Sequence, residues 1–111
     1  MTIVNVLAHL EVADFEDAVS WYSRVLGRQP DRRPMNGCVE WQLAGTSGLQ
    51  VFEGDKFPGT LIIGVSNIDE TAADLAARDI TLDITTVESR QFRVAALQDP
   101  SGNTVMFAQD N

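Results

Sequence analysis

The chain predicts an α+β fold built from two β-α-β-β-β units. Three observations carry that expectation. Val12-Ala13-Asp14-Phe15-Glu16-Asp17 returns 53 residues later as Val65-Ser66-Asn67-Ile68-Asp69-Glu70, and self-similarity at a fixed period marks a repeated supersecondary unit. In both copies an alternating apolar stretch runs into a polar N-cap and an amphipathic helix. Each helix is then followed by strand patterns alone, an order that gives mostly antiparallel sheet rather than an alternating β-α-β-α layer. Two such halves in 111 residues are placed to enclose a space between them.

The first unit opens with a strand over Ile3–Val12. There Val4, Val6, Ala8, Leu10 and Val12 alternate with Asn5, Leu7, His9 and Glu11. Period two gives one apolar face and one mixed face. Asp14 is the expected N-cap, with Asp17 three residues on as in a capping box. Phe15, Ala18, Val19, Tyr22, Val25 and Leu26 recur at helical spacing, and Gly27 stands at the C′ position. Pro30 and Pro34 confine residues 28–34 to an edge strand or irregular arm. Cys38–Ala44 and Leu49–Glu53 read as strands joined by the turn formers Gly45-Thr46-Ser47-Gly48.

Gly54–Gly59 is the expected linker, leaving residues 2–53 as module one and 60–109 as module two of a single domain. Module two repeats the order: a strand over Thr60–Val65, a helix over Ile68–Ala77 capped by Asn67, and strands over Thr81–Thr86, Phe92–Leu97 and Thr104–Ala108. The turn Asp99-Pro100-Ser101-Gly102-Asn103 precedes the last of these. In each unit the apolar face of the first strand must pack on the unit's own helix. The mixed faces, with Asn5, Leu7, His9 and Glu11 on one side and Thr60, Ile62 and Gly64 on the other, are then left to line the enclosed space.

Composition narrows the function. A net charge of −8 argues against nucleic acid, whose partners present a basic face, and favours a cationic guest over an anionic one. The charge is evenly divided, eight acids and four bases in residues 1–55 and the same in 56–111, so no charged patch is expected. The single cysteine, Cys38, excludes an internal disulfide and fits a reducing cytoplasm. No secretion signal or membrane-length apolar run is apparent. Phosphate-cradling glycine loops, nucleophile elbows and CxxC pairs are absent from the sequence.

Leu10-Glu11-Val12-Ala13-Asp14, then Trp21-Tyr22 and Val25-Leu26-Gly27, and later Asp99-Pro100-Ser101-Gly102-Asn103 are each commonplace alone. In this order, on a duplicated frame, they resemble the vicinal-oxygen-chelate superfamily. That group includes glyoxalase I, bleomycin-resistance proteins and extradiol dioxygenases. The resemblance implies two βαβββ modules forming a curved mixed sheet around a ligand cleft, which in many small members is completed by a homodimer. Enzymes of the group hold a divalent metal through four positions, and these fall on Leu7, Gln50, Thr60 and Met106. Leu and Met are not hard-cation ligands, and Thr and Gln are weak neutral ones. No metal or other cofactor is therefore expected, and the resemblance narrows to the metal-free, bleomycin-resistance-like branch.

Several residues remain to be placed. His9 and Glu11 point to the same side as Leu7, which leaves open a displaced metal set, an acid–base pair, or polar cleft residues. Glu11, a carboxylate on an apolar wall, needs a partner, and a cationic ligand is one. Glu40 and Trp41 occupy opposite faces of one strand, and the pattern does not say which faces inward; an inward Trp41 would stack on a planar ligand. Gln50, Phe52 and Met106 suit the same space. Trp21 and Tyr22 pack the helix on its sheet. The expected ligand-binding set is thus Asn5, Leu7, His9, Glu11, Trp41, Gln50, Phe52, Thr60, Ile62 and Met106. The expected function is sequestration of a cationic or aromatic small molecule in a dimer cleft. A lyase, isomerase or dioxygenase using His9 and Glu11 is the alternative, and a dimeric interaction module with a collapsed cleft is a third.

Overall fold

A computed structural model describes residues 1–87 and 92–110; positions 88–91 of the second predicted module, and residue 111, lie outside it. The elements run β1 (Val6–Val12), α1 (Phe15–Leu26), β2 (Arg32–Met35), β3 (Cys38–Ala44), β4 (Ser47–Glu53), β5 (Thr60–Gly64), α2 (Ile68–Ala76), β6 (Thr85–Val87), β7 (Phe92–Gln98) and β8 (Thr104–Asp110). They form two four-stranded sheets of the same order, β1-β4-β3-β2 and β5-β8-β7-β6. In each, the first and last strands pair parallel and the other pairs are antiparallel. This is the α+β architecture of two βαβββ modules.

Local chemistry sets the helix ends. The Asp14 carboxylate accepts the Asp17 N–H at 3.3 Å, and Asn67 Oδ1 accepts the Glu70 N–H at 3.1 Å, each satisfying an orphan donor of a first turn. Gly27 ends α1 in the left-handed region at φ 75°, which glycine enters without a Cβ clash. After α2 no glycine is present, and Asp79 takes the left-handed position at φ 62°, a conformation that aspartate tolerates better than most residues.

The core lies between the sheets and the helices. Trp41, Tyr22, Leu49, Val51, Val39, Ile68, Leu75 and Val105 are nearly or fully enclosed, and both modules feed one continuous apolar cluster. The first strand begins at Val6 rather than Ile3. Ile3, Val4 and Val6 stay exposed, because a twelve-residue helix spans about 18 Å and a ten-residue strand about 33 Å. Only Leu10 and Val12 receive full cover. The strand expected over Thr81–Thr86 shortens to Thr85–Val87. Leu82 is buried and Ile84 half-buried, so the alternating pattern correctly marks burial, but a ladder needs a partner and β7 supplies one only for residues 85–87.

The modules are tied through the Asp99–Asn103 turn. Asp99 Oδ2 accepts the Tyr22 hydroxyl at 2.7 Å and the Asn103 amide at 2.9 Å, while its Oδ1 accepts the Ser101 and Asn103 N–H groups, both at 2.9 Å. The fully buried Asn103 also donates to the Glu11 carbonyl at 2.8 Å and accepts the Gly59 N–H at 2.6 Å. Ser101 Oγ accepts the Ala13 N–H at 3.0 Å. Burial, reinforced by the Asp99 bond, pushes the Tyr22 phenol well above its ordinary range. In the other direction, Arg78 of module two donates to the Arg24 and Val25 carbonyls at 2.6 and 3.1 Å, capping the end of α1. The expected linker is bonded as well, Gly54 N–H to the Val12 carbonyl at 3.0 Å.

Candidate functional site

The open face of the first sheet holds a continuous polar rung. Register places His9 beside Gln50, Gln50 beside Glu40, and Glu40 beside Arg32, so one row crosses all four strands β1, β4, β3 and β2. The side chains are joined along it. His9 Nδ1 lies 2.7 Å from Gln50 Oε1, Gln50 Nε2 donates to Glu40 Oε2 at 3.0 Å, and Arg32 approaches Glu40 Oε1 at 3.6 Å. At the other end His9 Nε2 meets Glu11 Oε2 at 3.0 Å, and Glu11 Oε1 accepts the Lys56 N–H at 3.1 Å.

Proton accounting identifies the state of His9. A carboxylate only accepts, so Glu40 orients the Gln50 amide with its nitrogen toward β3 and its oxygen toward His9. Both imidazole nitrogens then face acceptors. The imidazolium, which donates through both nitrogens, is the form this arrangement favours. Its pKa is accordingly raised above the ordinary 6.5, first by the Glu11 bond and then by the Gln50 bond. Glu11 is lowered by the His9 bond and by the Lys56 N–H. The Phe52 ring, centred 5.9 Å from the imidazole, flanks the cation. A Cβ at Gly54 would collide with the Glu11 carboxylate, so glycine there lets the chain pass close to it.

The open face of the second sheet carries no charged side chain in the rows through Thr60, Ile62 and Gly64 and is apolar at its centre. Ile62 pairs with Met106, and Met106 with Ala96; Thr60 pairs with Thr104, and Gly64 with Ala108. Ile62 is 64% exposed. At the upper edge of the first sheet a groove of about 340 Å³ is lined by residues that include Asn5, Leu7, Arg32, Glu40 and Gln42.

Most of the expected set thus lies on the open faces: Leu7, His9, Glu11, Gln50 and Phe52 on the first sheet, Thr60, Ile62 and Met106 on the second, with Asn5 at the groove. Trp41 is a correction. Its side chain is fully buried, donates its indole N–H to the Arg28 carbonyl at 3.0 Å and packs 6.1 Å from the Tyr22 ring. A large aromatic on the helix-facing side of β3 gains more by filling the core than by facing water, and Glu40 takes the open side. Glu11 has partners within the chain, the His9 imidazole and the Lys56 N–H. Cys38 is buried, which pushes its thiol pKa up and keeps it inert.

The four positions matched to metal ligands do not fit a divalent ion. Leu7 offers hydrocarbon and Met106 a thioether, Thr60 a neutral hydroxyl, and the Gln50 amide is already shared between His9 and Glu40. Both imidazole nitrogens of His9 are likewise engaged, with Gln50 and Glu11. Among the described residues no three His, Cys, Asp or Glu side chains assemble a metal set.

Sequence inspection named Gln50 and weighed Glu40, but missed the bond between them and missed Arg32. The Glu40–Gln50 pairing was not findable, since a turn at Gly45-Thr46 alone sets residue 40 opposite 51, and the register shift between Gln42 and Ala44 moves it to 50. Nor was the His9–Gln50 contact, because parallel β1–β4 register depends on the whole intervening crossover.

No protein-family model and no curated protein sequence matches the chain. Solved structures do. A glyoxalase/bleomycin resistance protein from Catenulispora acidiphila is 23% identical with a TM-score of 0.89, covering 98% of this chain and 100% of that one. A lactoylglutathione lyase from Agrobacterium tumefaciens gives 17% and 0.77, covering 94% and 91%. A glyoxalase/bleomycin resistance protein/dioxygenase from Alicyclobacillus acidocaldarius gives 18% and 0.71, covering 94% and 89%. At these identities the likeness is one of fold: the chain has the two-module glyoxalase/bleomycin-resistance fold.

Proposed function

We propose that the protein binds a small cationic or aromatic molecule without a metal, as a homodimer in the cytoplasm. The observation that carries this reading is the chemistry of the open faces. The four family positions supply no ion ligands, and the one imidazole is bonded through both nitrogens, which leaves a surface that recognises rather than reacts. One wall offers hydrogen bonds and the other apolar contact, the combination that small-molecule sites use. Preference for a cation rests on the net charge of −8 and on Glu40, whose Arg32 partner is exposed and 3.6 Å away. A guest cation displaces such a surface partner at little cost. The single cysteine supports the reducing compartment.

A thermal-shift panel of cationic aromatic compounds and divalent metals tests the proposal. Stabilisation by one or more compounds, lost in Glu40→Gln, is expected. Stabilisation by metals alone would sink it.

The 3.0 Å imidazole–carboxylate contact supports a second reading, a lyase, isomerase or dioxygenase in which His9 serves as a general acid. His9→Gln separates the two: ligand binding survives it under the first reading, and turnover disappears under the second.

A further inference from the structure

The outer side of α1 bears a groove of about 670 Å³ into which the fold gathers Arg24, Arg28, Arg33 and Arg78. These are half of the eight basic residues in a chain of net charge −8. The expectation of no charged patch, drawn from the even distribution along the sequence, is corrected here. Three of the arginines come from module one, and the fourth arrives from the end of α2.

Their bonding shows which are free. Arg78 lies over Gly27 and spends Nε and Nη2 on the Arg24 and Val25 carbonyls, which fixes its plane while Nη1 has no acceptor among the described residues. Arg28 shares one nitrogen with Asp31 at 3.1 Å. Arg24 and Arg33 are exposed and have no acid partner among the described residues. One carboxylate, Glu16, lines the groove with them.

A second observation is independent of charge. Ser23 lines the same groove, is 9% exposed, and its hydroxyl has no hydrogen-bond partner among the described residues. A helical serine normally satisfies its hydroxyl on the carbonyl one turn back, and a shielded orphan donor costs stability. The oxygen is shielded where it stands, so a turn about χ1 toward the groove is needed to bring it to an acceptor from outside the chain.

The geometry points to a binding site for a multivalent oxyanion of the phosphoryl class, held by the Arg24, Arg28, Arg33 and Arg78 guanidinium groups and the Ser23 hydroxyl. Guanidinium forks match phosphoryl oxygens two at a time. The anchored Arg78 is preorganised for that role, and the two unpaired arginines close on the ligand from the exposed side. On an acidic chain only such a local concentration of positive charge draws an anion in. The site is separate from the open sheet faces and does not depend on what they bind.

Titration with inorganic pyrophosphate at low ionic strength, followed by calorimetry and amide chemical shifts, tests it. Saturable one-to-one binding is expected, with shifts centred on residues 20–28 and weakening as salt rises. The double variant Arg24→Gln/Arg33→Gln should bind at least about tenfold more weakly. Ser23→Ala should weaken binding severalfold while leaving the melting temperature unchanged or higher, which separates a ligand role from a structural one. Arg93→Gln, a distant control, should bind as the parent does. Non-saturable binding, shifts mapping elsewhere, or unaltered affinity in the double variant overturns the proposal.

Discussion

The proton affinity of His9 is set by what its neighbours are able to accept. The histidine pKa is raised and that of Glu11 lowered, so their pair exists between the two titrations. A raised imidazolium stabilises the fold fully below the unfolded value of 6.5 and ceases to do so as pH climbs through the folded value. A lowered carboxylate contributes above its unfolded value of 4.5 and fails as pH falls. Stability should therefore plateau between these values and decline on the alkaline side, and His9→Gln should flatten that decline in urea titrations run across pH. Imidazole NMR should show both nitrogens protonated at pH 6.5, with a midpoint that drops in Glu11→Gln. At this scale the sequence named the right strand face but not the bonds upon it. Alternation locates His9 and Glu11 on one side; on β3 it sets Val39, Trp41 and Leu43 against Cys38, Glu40, Gln42 and Ala44, but does not say which of these faces meets the helix.

Elements are joined by a few buried polar groups, and there single atoms matter. Tyr22→Phe removes the one cross-module donor to Asp99 and should cost about 1.5–3 kcal/mol, a charged hydrogen bond lost in a buried site. Asn103→Ala strips three contacts at once and should cost about 3 kcal/mol or more. Denaturant midpoints check both. Gly27→Ala places a side chain at φ 75° and 3.2 Å from the Arg78 guanidinium, for a loss of about 1 kcal/mol from backbone strain alone, measured the same way. Element positions were largely legible, because caps and periodicity are local: α1 and β3 fall where predicted, and α2 differs by one residue. The motif residues Tyr22 and Asp99 were also visible, but 77 positions apart, and no local rule indicates that they meet. The overlong first strand and the loss of residues 81–84 from the expected Thr81–Thr86 strand share a cause, since apolar alternation says nothing about how far a helix reaches or where a neighbouring strand ends.

For the whole molecule, duplication was the clearest signal, and it gave the architecture. The division of labour between the halves was not legible, because it depends on which face each residue takes after packing: the first sheet presents hydrogen-bonding groups, the second Ile62, Met106 and Ala96. Ile3, Val4 and Val6 add exposed apolar surface at the start of β1. Sedimentation equilibrium should accordingly give twice the 12.2 kDa chain mass, and Ile62→Lys should shift the population toward monomer. A monomer at all concentrations would count against the dimer cleft.

The turn at Asp99–Asn103 and the cap from Arg78 run in opposite directions across the seam. Each half thereby completes the other: one supplies the donors and carbonyls, the other the carboxylate and the guanidinium. Repeats that begin as interchangeable copies lose that equivalence once such debts are exchanged. Cut between Asp55 and Lys56, the two fragments should remain poorly folded apart and regain the native circular dichroism spectrum only when mixed.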